Sequence, residues 1–252
     1  MAERLYVEGH ALWTPSAPGE RPAPALLAAN ERRRAPDSVL VALEVALAAV
    51  AQSGREAATL ASVFASAHGD LAIVDALCRT LASDPTLLSP TRFHHSVHNA
   101  ASGYWAIGSA AHAPSSAVAG YTASFAAGLL EAASQCAADR RPVLLVGFDT
   151  DARGPLASVN TSRGLLGVAL VLAPGRSERS RWQLDWSLVP ATDAPPAPVP
   201  PALSALAANA MADALPLFGA LAGGAPTRLG LALPPALALA LALHPMASFE
   251  PS

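Results

Sequence analysis

Residues 114–125, PSSAVAGYTASF, predict a β-strand that runs into a sharp turn and then into a helix. Many enzymes place a nucleophile at such a corner, because the side chain is exposed there and the helix N-terminus stabilises negative charge. The nucleophile expected there is Cys or Ser, whereas this corner offers Tyr121, Thr122 and Ser124. The hydrolase pattern Gly-x-Ser-x-Gly is also absent, since Ser124 stands at the wrong offset from Gly120. The corner is therefore either catalytic with unusual residues or one that has lost its chemistry.

Short apolar strands and alanine-rich helices alternate on both sides of this corner. We expect strands over 5–13, 58–66 and 143–149, and the last, VLLVGFD, is apolar throughout, as is typical of a parallel sheet. Two further strands, 164–175 and 181–191, follow each other directly and are expected to be antiparallel neighbours. The pattern predicts an α/β fold with a mostly parallel core sheet, antiparallel additions and helices covering both faces.

The chain divides at a proline-rich segment, residues 191–201, which is expected to form an extended linker. Residues 1–190 are expected to form one domain. Residues 202–252 are too short for a second domain of equal size and should pack on the first, beginning with an Ala/Leu helix over 202–222. In this extension the apolar run 229–243 is interrupted by prolines and is shorter than the roughly 20 residues of a membrane span. We expect two buried strands there, or a strand and a short helix, and no membrane span.

Composition narrows the function classes. The chain has 252 residues and a net charge of −3, which argues against nucleic acid as the main partner. Cys78 and Cys136 fall in helix-like patterns and are expected to be small buried hydrophobes, because two isolated thiols make neither a disulfide framework nor a metal site. Residues 1–13 lack a signal-peptide pattern, so we expect a cytoplasmic protein. Phosphate-loop and dinucleotide-binding glycine patterns are absent, so no cofactor is expected.

Three histidines, His94, His95 and His98, stand together in the stretch RFHHSVHNA. On a helix, His94 and His98 would share a face as a possible metal pair, but no carboxylate or Cys nearby in the sequence completes a site. We therefore expect no metal and favour histidines that line an interface and hydrogen-bond to the backbone. The basic run 32–34 is interpreted as a solvated face or, alternatively, as a contact for an acidic protein partner.

A series of motifs in a fixed order is more specific than any one of them. In chain order they are SVFASAHGD (62–70), LLSPTRFHHSVHNAASGYWAIG (87–108), APSSAVAGYTASFAAGLLEA (113–132), VLLVGFD (143–149) and GLLGVALVL (164–172). Over about residues 5–190 the chain resembles the N-terminal half of a β-ketoacyl synthase of the thiolase-like superfamily. Within that family it is most similar to the short chain-length factors of bacterial aryl polyene (xanthomonadin-type) clusters. The resemblance implies a thiolase-like fold with a truncated second half.

The resemblance also implies a lost active site. In active ketosynthases the corner carries the Cys that holds the growing acyl chain, and counting from Pro114 puts Thr122 at that position. A Thr hydroxyl has far too high a pKa to ionise as a thiolate does. The two catalytic histidines of the family have no counterpart, since the extension contains only His244. The resemblance thus implies a non-catalytic subunit, a pseudoenzyme. The alternative is a stand-alone acyltransferase, decarboxylase or thioester hydrolase that uses Thr122 or Ser124, with a histidine of 94–98 as base.

The same resemblance implies that the chain has a protein partner. It implies a heterodimer with a full-length 3-oxoacyl-ACP synthase, and acyl carrier protein reached through that complex, in polyketide or fatty-acid-like biosynthesis. Ketosynthases dimerise by pairing the strand before the nucleophile, so 114–121 should be an edge strand with 89–105 beside it. Side chains just before that strand would shape the acyl tunnel. The candidates for the interface and the tunnel gate are Phe93, His94, His95, Val97, His98, Asn99, Ala117, Val118, Ala119 and Tyr121.

Overall fold

The structure, a computed structural model, describes residues 3–159 and 161–246. The strands are β1 (Glu3–Trp13), β2 (Ala61–Ala65), β3 (Ser115–Val118), β4 (Val143–Asp149), β5 (Leu166–Ala173), β6 (Trp182–Pro190), β7 (Thr227–Leu233) and β8 (Leu237–Pro245). The α-helices are α1 (Ala29–Arg34), α2 (Asp37–Ser53), α3 (Leu71–Ser83), α4 (Pro90–Ser96), α5 (Ala100–Gly108), α6 (Ser124–Asp139) and α7 (Leu215–Gly223). The strands predicted before residue 191 are all present. The prediction that 164–175 and 181–191 are antiparallel neighbours was wrong, because β1 lies between β5 and β6 and pairs with both.

These strands form a single sheet in the order β3-β2-β4-β5-β1-β6-β8-β7. Only the pairs β2–β3 and β2–β4 are parallel, and every other pair within the described ranges is antiparallel. The three strands predicted for the parallel core are thus parallel, but the prediction of a mostly parallel sheet was wrong, because the antiparallel part is larger than expected. A parallel pair needs a long crossover, which α3–α5 and α6 provide. The connections from β4 to β5 and from β7 to β8 contain no α-helix, and there the chain reverses direction.

The C-terminal extension does not begin with the predicted helix over 202–222, so that prediction was also wrong. It has 3₁₀ turns at Pro201–Leu206 and Ala212–Ala214 before α7. The side-chain amide of Asn209 explains the interruption, because it donates hydrogen bonds to three backbone carbonyl oxygens at the ends of the β4–β5 connection. The run 229–243 forms two strands, β7 and β8, the first of the two alternatives considered.

Helices cover both faces of the sheet, as predicted, with α2 and α5 on one face and α6 and α7 on the other. The sheet curls around α6, which contacts β1 and β7 as well as β2, β3, β4 and β5. Gly128 lets this helix approach β2 closely, since a Cβ at that position would lie 2.7 Å from the Cβ of Ala65. Phe125 and Leu129 of α6 are buried in the resulting core. The helix that follows the corner is thus the central element of the fold.

The two cysteines lie in different environments. Cys136 is buried in α6, and burial raises the pKa of its thiol to about 12. Cys78 is exposed on α3, so the prediction that it is buried was wrong. Only Leu71 and Leu77 of α3 are buried, and the residue after Leu77 is turned about 100° away around the helix.

A buried carboxyl group fixes the loop that follows β2. Asp149, the last residue of β4, is fully buried and accepts hydrogen bonds from Ser66 Oγ at 2.9 Å, Ala67 N at 2.9 Å and His68 N at 3.2 Å. Burial raises the pKa of Asp149 to about 7, and these hydrogen bonds act in the opposite direction. The backbone N–H of Ser66 donates to the carbonyl oxygen of Val118, so the same loop is joined to β3.

A second carboxyl group ties the C-terminal extension to α6. Asp213 Oδ2 accepts a hydrogen bond of 3.0 Å from the backbone N–H of Ala126 in the first turn of α6. Its Oδ1 is buried with no hydrogen-bond partner in the described part of the chain. Burial raises the pKa of Asp213 to about 7, and the charge of Asp149 acts in the same direction. Because the N-cap residue Ala123 offers no side-chain cap, the extension supplies one.

We predict that Asp149 and Asp213 make the protein lose stability as the pH rises from about 5 to about 7, whereas the lowered pKa of His10, His68 and His95 acts in the opposite direction. The folded-state pKa of both carboxyl groups lies above the unfolded value of 3.8. Their stabilisation is therefore complete below that unfolded pKa and is lost as the pH rises through about 7. The free energy of unfolding should fall on the order of 1 kcal/mol per pH unit for each group. Urea unfolding across this pH range measures the slope.

The variant Asp213→Asn keeps an acceptor for Ala126 N–H but cannot ionise, so relative to the wild type it should remove a fall in unfolding free energy on the order of 1 kcal/mol per pH unit. Asp139→Asn is the matched control, since Asp139 lies at the other end of α6 and its side chain is 47% exposed. The control should keep the wild-type slope. A slope of unfolding free energy against pH that is the same in Asp213→Asn as in the wild type would contradict the assignment.

Candidate functional site

The C-terminal ends of β2, β3 and β4 meet at one edge of the sheet, because these strands are parallel. The loop 66–69 follows β2, the corner 119–123 follows β3, and Asp149 ends β4. Loops at this end of parallel strands are the usual place for functional groups in α/β sheets. The candidate functional site is therefore the corner together with the loop beside it.

The corner has the predicted strand, turn and helix. β3 ends at Val118, a 3₁₀ turn covers Tyr121–Ala123, and α6 follows directly. Tyr121 has a φ of +55°, in the left-handed region that is unfavourable for a bulky side chain. Its hydroxyl donates a hydrogen bond of 3.2 Å to the carbonyl oxygen of Val159. The strained residue thus stands one position before Thr122.

Within residues 3–159 and 161–246, neither hydroxyl group at the corner is hydrogen-bonded to a side chain that could act as a base. Ser124 is buried, and its Oγ donates to the carbonyl oxygen of Tyr121 at 2.9 Å and accepts from Gly120 N at 3.1 Å, so it closes the turn. Thr122 is exposed. Among the described residues, no hydrogen bond joins either hydroxyl to a histidine of 94–98. Because a Ser or Thr hydroxyl attacks only with a base beside it, this arrangement does not activate a nucleophile.

The histidines support the structure around the corner. His95 is buried in α4, and its Nε2 is 2.8 Å from the hydroxyl of Tyr104. Burial lowers the pKa of His95, and the neighbouring His94 adds to that effect. His94 packs edge-on against the Tyr104 ring. His98 lies beyond the end of α4, with its Nε2 2.8 Å from the carbonyl oxygen of Ser66.

His94 and His98 do not form the metal pair considered for a continuous helix, because α4 ends at Ser96 and His98 lies beyond it. Across 3–159 and 161–246 there is no cluster of three or more His, Cys, Asp or Glu side chains that could hold a metal ion. The hydrogen bonds of His95 and His98 instead tie α4 and the segment after it to α5 and to the loop after β2.

The candidate interface residues divide into exposed and supporting side chains. Phe93 is 62% exposed and Tyr121 is 54% exposed. By contrast, His95 is buried and Val118 packs partly against the core, so neither presents its side chain at the surface of this chain. Helix α5 packs against β3, whereas α4 packs on α3 and α5. The candidates with exposed side chains are Phe93, His94, Val97, Asn99, Ala117, Ala119 and Tyr121.

Three residues at the site were not found from the sequence. Ile107 of α5 is 82% exposed, and helical spacing could have shown that it lies off the buried stripe of its helix. Asp149 gave a weak signal, as a polar residue that ends an apolar strand. Asp213 gave none, because its partner Ala126 lies 87 positions earlier in the chain.

Within the described residues, none of the helices has the length and apolar character that crossing a bilayer requires.

Comparison with known protein families gives one match that covers most of the chain. Residues 10–217 match the family described as beta-ketoacyl synthase, N-terminal domain. No curated protein matches the sequence. The match includes the corner, the three parallel strands and the beginning of the extension.

Solved structures with the same fold support this match. One is a ketosynthase (ApeO) in complex with its chain length factor (ApeC) from Xenorhabdus doucetiae, with a TM-score of 0.66, 23% identity, and coverage of 90% of this chain and 84% of that chain. Another is the ishigamide ketosynthase/chain length factor, with a TM-score of 0.67, 14% identity and coverage of 96% and 99%. A third is a type II PKS acyl-carrier protein in complex with its ketosynthase bound to the hexaketide (AntDE:AntF), with a TM-score of 0.70, 10% identity and coverage of 98% and 100%.

At these identities the structures establish the fold, and the family match, which spans well over half of the chain, establishes the family. The chain has the thiolase-like fold and belongs to the β-ketoacyl synthase N-terminal domain family.

Proposed function

We propose that this chain is a non-catalytic, chain-length-factor-like subunit that pairs with an active 3-oxoacyl-ACP synthase in a cytoplasmic complex and shapes its acyl tunnel. The observation that carries the proposal is an open edge strand, β3, next to a corner without an activated nucleophile. The condensing Cys would then come from the partner, and acyl carrier protein would reach this chain through the complex. The product class that we propose is an aryl-polyene-like, polyunsaturated acyl chain.

The chemistry of the corner supports a role without catalysis. In the proposed register Thr122 takes the place of the ketosynthase Cys, and a Thr hydroxyl without a base does not ionise near neutral pH. The neighbouring Ser124 hydroxyl is committed to the backbone on both sides of the turn. The amide of Ala126, which could otherwise stabilise an anion at the N-terminus of α6, is already bonded to Asp213.

The surface around β3 supports docking. β3 pairs only with β2 in the described sheet, so its other side presents unpaired backbone groups. Its exposed side chains at Ala117 and the following Ala119 are small, which allows another backbone to approach closely. Large exposed apolar side chains belong to elements near this edge, namely Ile107 on α5 and Tyr121 at the corner. An interface here is expected to bury more than about 1,000 Å².

The similar solved structures add to this argument. Two of them contain a ketosynthase with a chain length factor, and a third contains a ketosynthase with an acyl-carrier protein. In two of these comparisons the aligned region includes 96% or more of the present chain. By analogy with these assemblies, we expect the partner to be a ketosynthase whose gene lies next to the gene for this chain.

Replacing Ala117 or Ala119 with Asp should abolish the complex with that ketosynthase. An unpaired carboxylate buried at the strand junction costs several kcal/mol, which corresponds to a loss of affinity of about a hundredfold or more. Co-expression followed by size-exclusion chromatography with light scattering measures the complex. Ala232→Asp, at an exposed alanine on the opposite edge strand β7, is the matched control and should pair normally. A normal complex formed by a folded Ala117→Asp variant would refute the proposed surface.

The variant Thr122→Ala should leave chain elongation by the complex nearly unchanged, because Thr122 has no base with which to act. The rate of malonyl-dependent condensation by the co-purified complex measures this. Replacing the active-site Cys of the partner should abolish the same activity and serves as the control. If the condensation rate of the Thr122→Ala complex fell by several orders of magnitude while the complex still formed, the result would favour the alternative of an acyltransferase, decarboxylase or hydrolase that uses this residue.

Shrinking Phe93 should lengthen the product in two-carbon steps. Phe93 lies on α4 with most of its ring exposed, so it is available to close a tunnel in the partner. Room for one or two methylenes is worth about ten- to two-hundred-fold in discrimination against a longer chain. Mass spectrometry of products from Phe93→Ala and Val97→Ala complexes tests this, with Leu188→Ala on β6, which is 48% exposed, as the control. Unchanged lengths in both variants would place the gate elsewhere.

A further inference from the structure

The sheet has two edge strands, β3 and β7, and only β7 is crossed by another segment of the chain. The edge of β3 is open. Residues 194–200, APPAPVP, cross the sheet at β7, and we call this segment the proline strap. It lies within the segment for which the sequence predicts only an extended linker.

The strap begins on the outer face of the sheet. The N–H of Ala191 donates a hydrogen bond of 2.8 Å to the carbonyl oxygen of Ala236 in the β7–β8 turn. Ala194 and Pro195 then lie directly over Gly230 in the middle of β7, since a Cβ at Gly230 would be 2.7 Å from the Cβ of Ala194 and 2.8 Å from the carbonyl oxygen of Pro195. This face is opposite the buried side chains of β7, because side chains alternate along a strand.

The strap ends on the inner face. Ala197 and Val199 are half-buried and pack against the core around α6 and α7, which also contains Leu229 and Leu231 of β7. Pro200 rests on Gly219 of α7, with no room for a Cβ between them. The strap therefore passes from one face of the sheet to the other around β7.

The amino-acid composition of the proline strap suits a segment that covers an edge strand. Four of its seven residues are proline, at 195, 196, 198 and 200, and proline has no backbone N–H to donate to an added strand. Proteins commonly protect edge strands with proline or with a covering loop. The strand beneath, TRLGLAL, alternates apolar residues with small or polar ones from Arg228 to Leu233. Two copies of such a strand can pair antiparallel about a two-fold axis.

We propose that the proline strap closes the β7 edge against pairing with a second copy of this chain, and thereby leaves β3 as the edge at which a partner strand can add. The second half of this statement rests on the proposed function, whereas the first half concerns this chain alone. The strap thus sets which edge of the sheet is used for assembly.

Gly230→Val tests the proposal, because its side chain must displace Ala194 and Pro195 while remaining favourable in a strand. The matched control is Ala232→Val, which adds a branched side chain on the same face of β7 at an exposed position. The full-length chain is studied without ketosynthase by light scattering over a wide concentration range. Gly230→Val should show a concentration-dependent increase in mass relative to the wild type, and Ala232→Val should not.

A second variant loosens the strap without changing β7, by replacing Pro195, Pro196 and Pro198 together with glycine. Limited proteolysis within 194–200 reports whether the strap has been released in each variant. Release with no increase in mass in either variant would overturn the proposal, and so would a strap that stays protected in Gly230→Val. Failure of the wild-type chain to bind a ketosynthase would instead contradict the proposed function and leave this result unaffected.

Discussion

The close approach of α6 to β2 is the constraint on which the rest of the structure depends. At Gly128 the helix lies so near the sheet that a Cβ would collide with Ala65. This proximity lets the sheet curl around α6, with contacts from β1 to β5 on one side and to β7 on the other. It also fixes the corner, since the turn at Tyr121–Ala123 must join β3 to a helix whose position is already determined.

Buried polar groups then connect the parts of the chain that meet at this helix. Asp149 holds the loop after β2, and that loop is bonded in turn to β3 and to His98. Asp213 brings the C-terminal extension to the N-terminus of α6. This hydrogen bond links the corner after β3 to the C-terminal extension.

The sequence predicted the corner, both helical layers and the strands of the first 190 residues, because each depends on local hydrophobic spacing. It did not predict strand direction, since an apolar run such as 143–149 indicates burial and not the direction of its neighbours. The prediction of a helix over 202–222 was wrong because Asn209 makes tertiary hydrogen bonds, which local helix propensity does not include. The link from Asp213 to Ala126 likewise joins residues that are 87 positions apart in the chain.

Amide hydrogen exchange of the chain, alone and with its ketosynthase, tests the central claim most directly. If β3 is the docking edge, those amides of Ser115–Val118 that point away from β2 become protected on binding, because the partner strand supplies their acceptors, while the amides of β7 exchange at the same rate in both states. Protection confined to β7, or a stable complex in which Ser115–Val118 exchange as they do in the free chain, would contradict the account.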